Sequence, residues 1–112
     1  MENEITSAEV YYRDTKAGTL TKTEEGYEFT YDAEYLGDAS ARPISLSLPL
    51  RGEKYQSPRL FSFFDGLLPE GWLLDLISKT AKIDKNNKFQ LLLHTGKDPI
   101  GAVSIRAKGR AE

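Results

Sequence analysis

The sequence feature that most constrains the fold is an apolar run that extends from Ser57 to Ile77 and reads SPRLFSFFDGLLPEGWLLDLI. Ser57 followed by Pro58 predicts the start of a helix. A serine hydroxyl can cap that start, and a proline at the first helical position loses no hydrogen bond. The next apolar residues leave almost no polar face, so we expect this helix to be buried nearly all round: Leu60, Phe61, Phe63, Phe64, Leu67 and Leu68.

A second helix is predicted directly after the first, with a kink at Gly66–Pro69. Proline cannot continue a helix cleanly but can begin one. Glu70 would lie in the first turn, where a carboxylate suits the positive end of the helix dipole. Apolar residues then recur at helical spacing on one face of this second helix: Trp72, Leu73, Leu76, Ile77 and Ala81.

The residues before the apolar run predict strands. Ala8–Arg13, a short segment around Leu20, and Tyr27–Tyr31 have the β-branched and aromatic content of strands at about ten-residue spacing, which predicts an antiparallel meander. Ala33–Leu36 predicts one helical turn. Ile44–Leu50 (ISLSLPL) alternates, which predicts a further strand with Ile44, Leu46 and Leu48 on one side.

The remaining segments complete the predicted order. They are a polar loop at Arg51–Gln56, a short buried helix around Phe89–Leu93 that ends at Gly96, a turn at Lys97–Pro99 and a last strand at Gly101–Arg106. This order predicts an α+β fold, a mostly antiparallel sheet of about five short strands with three to four short helices packed on one face. We expect a flexible N-terminus over residues 1–7, a single domain over 8–106 and a polar tail over 107–112.

Composition excludes several classes of function. The net charge of −2 gives no general attraction to nucleic acid or to an anionic membrane, and no apolar run reaches the length of a membrane span. The chain has no cysteine, and its polar N-terminus does not resemble a signal peptide. We therefore expect a cytoplasmic protein with no membrane partner and no direct nucleic-acid contact.

The search for catalytic chemistry finds no convincing pattern. His94 is the only histidine and builds no metal site, so a helix-end or surface role is favoured. Asp65–Gly66 after Phe64 is not the Asp-Phe-Gly order that binds magnesium in kinases, and the sequence contains no phosphate-binding loop. The basic residues within Lys79–Lys88 and Arg106–Arg110 favour a solvated surface. We expect no catalytic residue, no metal, no cofactor and no enzymatic activity.

Three ordered motifs resemble a known family. They are PISLSLPL (Pro43–Leu50), LFSFFDGLLPEGW (Leu60–Trp72) and FQLLLHTGKDPIGAVSI (Phe89–Ile105). Together they are similar to the N-terminal subdomain of HipA-type serine/threonine kinases, the toxins of bacterial toxin–antitoxin systems. The resemblance covers about Val10 to Ile105. Kinases of this family often carry an arginine shortly after the LPEG motif, near the position of Leu74.

The resemblance implies a function without catalysis. The ATP site and catalytic residues of such kinases lie C-terminal to this subdomain. A small separate protein of this type, HipS-like, acts as the antitoxin in tripartite HipBST-type systems. The leading expectation is a non-catalytic subunit that binds and neutralises a HipA-like serine/threonine kinase. One alternative is an excised subdomain of a full-length kinase that contacts the antitoxin. Another is an accessory regulator that acts with a HipB-like helix-turn-helix DNA-binding partner.

The expected partner-binding residues surround the LPEG motif. Trp72 is the main candidate because it follows the Pro69–Gly71 turn at the start of a helix, although a core tryptophan is an equal alternative. Leu74, off the apolar face, would extend an exposed apolar patch. Glu70 could meet a basic group on the partner or cap its own helix. If Trp72 is not the contact, the exposed edge of the Ala8–Arg13 strand is the next candidate.

Overall fold

The computed structural model describes residues 6–96 and 101–108. This part of the chain forms an α+β domain in which four helices accompany a five-stranded antiparallel sheet, which confirms the predicted fold class. The strands are β1 (Ser7–Tyr12), β2 (Thr15–Thr23), β3 (Gly26–Tyr31), β4 (Tyr55–Ser57) and β5 (Val103–Ala107). The helices are α1 (Ala33–Leu36), α2 (Ser62–Asp65), α3 (Gly71–Ala81) and α4 (Lys88–Thr95).

The predicted meander is present as β1, β2 and β3, and the strand order across the sheet is β4-β3-β2-β1-β5. Gly26 in the β2–β3 turn has a φ of 147°, and a Cβ there would lie 2.1 Å from the Ser57 carbonyl oxygen. Only glycine fits this close approach of β4. On the other side of the meander, β5 pairs with β1, with Val10 opposite Ile105. The expectation of an exposed edge at Ala8–Arg13 is therefore wrong, because β5 covers that edge.

The hydrophobic core lies between one face of the sheet and helices α1, α2 and α4, and α3 contributes no buried residue to it. The Phe64 ring of α2 lies 5.8 Å from the Phe29 ring of β3, measured between centroids, and both side chains are fully buried. Phe89 and Leu92 of α4 are also fully buried. The prediction that Phe64 is a core residue is confirmed, whereas Phe61 is only partly buried against the core.

The predicted helix start at Ser57–Pro58 is wrong. Ser57 ends β4, where it pairs with Tyr27, so the predicted polar loop at Arg51–Gln56 also ends in a strand. The Ser57 hydroxyl does accept a backbone N–H, from Arg59 at 3.2 Å, but this bond closes a tight turn rather than a helix. The helix itself is the four-residue α2, and the expected burial all round is wrong because Leu67 is 38% exposed.

The predicted strand at Ile44–Leu50 is also wrong. The segment forms a turn in which Ser45 and Leu48 make one isolated antiparallel bridge. Ile44 and Leu48 are buried on the two sides of the turn, whereas Leu46 between them is almost fully exposed. Of the three residues that the alternating pattern placed on one side, Ile44 and Leu48 are buried and Leu46 is exposed.

The predicted C-terminal helix and strand are both present, as α4 and β5, with slightly different bounds. The Asn87 side chain accepts a hydrogen bond from the Gln90 backbone N–H and caps α4. Gly96 ends this helix in a right-handed conformation, and a Cβ there would lie 2.7 Å from the Leu92 carbonyl oxygen. Glycine is required here because a Cβ would not fit, and not because of the backbone φ, which is an ordinary one. The predicted turn at Lys97–Pro99 lies outside the described residues, as do residues 1–5 and 109–112, while Ser7 and Ala107 are strand residues.

Candidate functional site

The turn before α3 sets the direction of the Trp72 side chain. Glu70 is the N-cap residue, with extended backbone, and its carboxylate makes no capping hydrogen bond. Gly71 follows with a φ of 61°, a left-handed conformation that favours glycine. No heavy atom lies within 4 Å of a Cβ built at Gly71, so the turn is open to solvent. Helix α3 therefore begins at Gly71 rather than at Pro69, which is half-buried.

Helix α3 has no buried residue along its 11 residues. Trp72 is 76% exposed, Leu73 41% and Leu76 48%. A surface helix normally turns such side chains toward the core and its polar face toward water. We call Trp72, Leu73 and Leu76 the α3 apolar face. It is the largest group of exposed apolar side chains on a single element among the described residues.

A different side of α3 is less exposed than the α3 apolar face. Leu74, Ile77, Ser78 and Ala81 are half-buried and recur at the i, i+3, i+4, i+7 spacing of one helix face. The expectation that Leu74 extends an exposed patch is therefore wrong. The apolar residues of α3 cover a wide arc, and one part of that arc is more exposed than the other.

An apolar groove of about 570 Å³ lies beside α3. Leu73 and Ile77 form its wall on the helix, and Pro69 and Leu67 line the end that adjoins the turn. On the opposite side the lining comes from β1, β5 and the segment before the Ser45–Leu48 turn, through Tyr12, Val103 and Ile44. The α3 apolar face and this groove are therefore contiguous through Leu73.

Polar contacts fix the far end of α3. Lys82 ends the helix in a left-handed conformation, with a φ of 59°. The Lys85 Nζ lies 2.8 Å from the Asp75 Oδ1, and this hydrogen bond lowers the pKa of Asp75 and raises that of Lys85. Lys88 pairs with Asp65 of α2 at 3.0 Å. Both pairs are exposed and contribute little stability, and only the Lys85–Asp75 pair involves α3, because Lys88 belongs to α4.

Sequence reasoning missed Leu46, which is 96% exposed. The alternation of ISLSLPL indicated a strand and placed Leu46 with Ile44 and Leu48. A signal for a turn was present, because serines on both sides of Leu46 can hydrogen-bond to nearby backbone. In the structure the Ser45 hydroxyl accepts a hydrogen bond from the Ser47 backbone N–H at 3.2 Å.

Within the described part of the chain, the titratable groups form no metal-binding cluster. In residues 6–96 and 101–108, no group of three or more His, Asp or Glu side chains is arranged to hold a metal ion. His94 lies exposed in the last turn of α4. Across the same ranges, no helix is both long and apolar enough to span a bilayer.

Comparison with known proteins agrees on one family. A family model described as the HipA N-terminal domain matches residues 8–106. A solved structure of the "N-terminal domain of HipA toxin" superposes with a TM-score of 0.73 and 28% sequence identity, covering 99% of this chain and 100% of that chain.

Two curated relatives differ in length. An uncharacterized protein of Haemophilus influenzae is 33% identical over 106 residues, which cover 95% of this chain and 96% of that protein. The "Putative kinase Y4mE" of Sinorhizobium fredii is 33% identical over 89 residues, which cover 79% of this chain but only 21% of that protein. With the family model matched over most of its length, this chain belongs to the HipA N-terminal domain family.

Proposed function

We propose that this chain is a non-catalytic subunit that binds a HipA-like serine/threonine kinase toxin and restrains it as an antitoxin. The observation that carries the proposal is α3, an entire helix with no buried residue and with Trp72 exposed at its start. A contiguous exposed apolar patch on a small domain marks a site of protein interaction. Tryptophan is also the residue type most enriched among interface anchors.

Membership of the family indicates what kind of protein covers this face. In the "Putative kinase Y4mE", the matching region is about a fifth of the protein, so the same domain there has the rest of a long chain to pack against. A protein of the length of the Haemophilus relative, matched over 96% of its residues, has no such remainder. We infer that a separate chain of this family offers its uncovered apolar face to a kinase body supplied by another polypeptide.

The proposed contacts follow the geometry of the turn and of α3. Trp72 enters an apolar pocket of the kinase, and Leu73 and Leu76 take the place that sequence reasoning gave to Leu74. Glu70 makes no capping hydrogen bond, so its carboxylate can meet a basic group on the kinase. Pro69, half-buried at the end of the groove, fixes the direction of the turn.

The proposal includes an indirect link to DNA. With a net charge of −2, the chain has no general attraction to nucleic acid. A HipB-like helix-turn-helix protein would join through the kinase complex, in the cytoplasm. The family match is to the N-terminal domain and not to the catalytic kinase domain, so the proposal assigns no catalysis and no cofactor to this chain.

A second candidate function is favoured by the match to the longer kinase. If these residues are one part of a full-length kinase toxin, the α3 apolar face packs against the kinase body within the same polypeptide. The match to 21% of the "Putative kinase Y4mE" supports this reading. Co-purification decides between the candidates, because only a separate subunit is recovered as a second chain bound to a kinase.

The test separates folding from binding. The purified chain is titrated into the HipA-like kinase encoded with it, and neutralisation is measured as rescue of growth in cells that express that kinase. Trp72→Ala should leave the melting temperature nearly unchanged, because the side chain is 76% exposed. It should weaken binding and rescue at least tenfold, since anchor residues contribute about 2 kcal/mol or more. Lys79→Ala, an exposed change on the same helix, is the matched control and should bind like the parent chain.

Two results would contradict the proposal. If Trp72→Ala binds as tightly as the parent chain, the α3 apolar face is not the docking surface. If the variant unfolds, Trp72 is a core residue and the exposure that carries the proposal is not a property of the protein in solution.

A further inference from the structure

Leu46 is an exposed apolar side chain on an element other than α3. At 96% exposure it is the most exposed large apolar side chain among the described residues. The others lie in α3 or, in the case of Leu67, in the link that precedes it. Its neighbours in the chain, Ser45 and Ser47, are polar, so Leu46 projects alone from the tip of the Ser45–Leu48 turn.

The Ser45–Leu48 turn is held by hydrogen bonds within it. The Leu48 backbone N–H donates to the Ser45 carbonyl oxygen at 3.0 Å. The Ser45 hydroxyl accepts the Ser47 backbone N–H at 3.2 Å and lies 2.9 Å from the Ser47 hydroxyl. These bonds fix the backbone on both sides of Leu46.

The buried hydroxyl of Tyr31 holds the turn to the sheet. It accepts the Ile44 backbone N–H at 3.0 Å and donates to the Leu48 carbonyl oxygen. Ile44 and Leu48 are themselves 5% and 3% exposed. The turn is therefore ordered before any partner arrives, and an ordered contact loses little conformational entropy on binding.

The apolar surface of the domain continues from α3 to this turn. Ile44 lines the same groove as Leu73. Beyond the turn, Leu48 and Ser47 line a shallow depression together with Phe61. Leu46 lines neither the groove nor the depression, but in the chain it lies between Ile44, which lines the groove, and Ser47, which lines the depression. A partner that covers both would therefore pass over the turn that carries Leu46.

The size of a stable interface requires such an extension. Helix α3 has 11 residues and is about 16 Å long. Each partner in a stable protein–protein interface buries about 800 Å², a patch roughly 30 Å across. The α3 apolar face alone is too short to fill that patch, and the groove and the turn are its apolar continuation.

We propose that Leu46 is a second anchor, which inserts into an apolar pocket on the same kinase that receives Trp72. This inference rests on the proposed function. The pocket has an apolar floor for the leucine side chain. Its rim is polar, because the Ser47 hydroxyl at the tip of the turn is exposed and meets that rim.

The experiment compares three variants by calorimetric titration into the purified HipA-like kinase encoded with this chain. Leu46→Ser should weaken binding at least tenfold and leave the melting temperature unchanged, because the side chain makes almost no contact within the domain. Leu46→Met keeps an apolar side chain of similar volume and should bind within about twofold of the parent chain. Trp72→Ala is measured in parallel to report on the α3 apolar face independently.

A labelled chain gives a second readout. The sequence has no cysteine, so Leu46→Cys provides a single attachment point for an environment-sensitive fluorophore. Its emission should shift to the blue when the kinase is added. The same label at Glu24→Cys, in the exposed β2–β3 turn, should not shift.

The outcomes separate this inference from the proposed function. If Leu46→Ser binds like the parent chain while Trp72→Ala is weakened, the second anchor is refuted and the proposed function is kept. If the parent chain does not bind the kinase, both are refuted. A loss that Leu46→Met restores, together with a blue shift at position 46, supports the second anchor.

Discussion

Replacing Tyr31 by phenylalanine tests how the Ser45–Leu48 turn is held. The phenol of Tyr31 is buried, and its hydroxyl bonds backbone groups on both sides of the turn, at Ile44 and at Leu48. Tyr31→Phe keeps the ring and its packing against Phe29, whose centroid lies 4.9 Å away. The substitution therefore removes two hydrogen bonds and very little apolar contact.

The expected cost follows from the two backbone groups left without a partner. A buried donor or acceptor that loses its partner costs about 1–3 kcal/mol. Ile44 and Leu48 are both buried, so water does not reach these groups without disturbing the turn. For the two groups together, we expect Tyr31→Phe to lower the free energy of unfolding by about 2–6 kcal/mol. For a domain of this size that lowers the melting temperature by on the order of 10–20 °C.

The matched control is Tyr35→Phe. The Tyr35 ring stacks on Tyr31 with centroids 6.1 Å apart, and its hydroxyl also bonds a residue on the approach to the turn, through the carbonyl oxygen and the N–H of Arg42. Arg42 is exposed, so water can replace these bonds and the cost should be about 1 kcal/mol or less.

Thermal and urea unfolding followed by circular dichroism measure both variants. If Tyr31→Phe melts with the parent chain, the phenol does not hold the turn. If Tyr35→Phe is equally destabilised, burial does not set the cost and the reasoning fails. In kinase titrations, Tyr31→Phe should also weaken binding, because the turn that presents Leu46 loses its order before binding.

Three further predictions concern the core, a helix end and pH. Phe64→Ala should lower the free energy of unfolding by about 3–5 kcal/mol, and Phe61→Ala by clearly less because Phe61 is only partly buried; equal losses in chemical denaturation would contradict the described core. Lys82→Gly should raise the free energy of unfolding by about 0.5–1 kcal/mol, because glycine accepts the left-handed conformation that ends α3. An unchanged or lower urea midpoint would argue against that conformation. Burial raises the pKa of Tyr27 and Tyr31 above 10.0, so the folded state keeps these protons to higher pH than the unfolded state. The stability that these two tyrosines contribute is complete below pH 10.0 and falls as pH rises through their raised pKa values. A melting temperature that does not change with pH across this window would contradict the prediction.

The sequence predicts the elements whose pattern is decided locally. The alternation of Tyr27–Tyr31 reflects one buried and one open side of β3, which any antiparallel sheet with a single covered face imposes. Phe89 and Leu92 recur at helical spacing and are buried in α4. Ala33–Leu36 forms the expected single turn of helix. In these elements the spacing of the apolar residues in the sequence agrees with the side of the element that is buried in the structure.

The sequence does not predict features that depend on distant residues. The alternation of Ile44–Leu50 is compatible with a strand, and a hydroxyl on β3, at Tyr31, makes it a turn. Strand β4 exists because Tyr55–Ser57 pairs with Tyr27–Phe29, which no local pattern specifies.

The candidate site shows the same limit. Prolines and glycines around the LPEG motif indicate a turn before Trp72, and the residue type indicates an interface anchor. Which part of the apolar arc of α3 is less exposed depends on the tertiary structure, in which Tyr12 and Val103, far away in the chain, line the groove beside this helix. Sequence reasoning therefore expected Leu74 to be exposed, where it is half-buried, and did not predict the exposure of Leu46.

The pairing of β5 with β1 has a consequence for the order in which the protein can fold during synthesis. Strands β1, β2 and β3 are joined by tight turns and can assemble as soon as they leave the ribosome. The open side of β1 waits for Val103–Ala107, because Val10 pairs with Ile105. Contacts between residues so far apart in sequence form slowly. Until they form, β1 presents unpaired backbone groups that other chains can bind, so the nascent protein is most prone to aggregate just before β5 emerges.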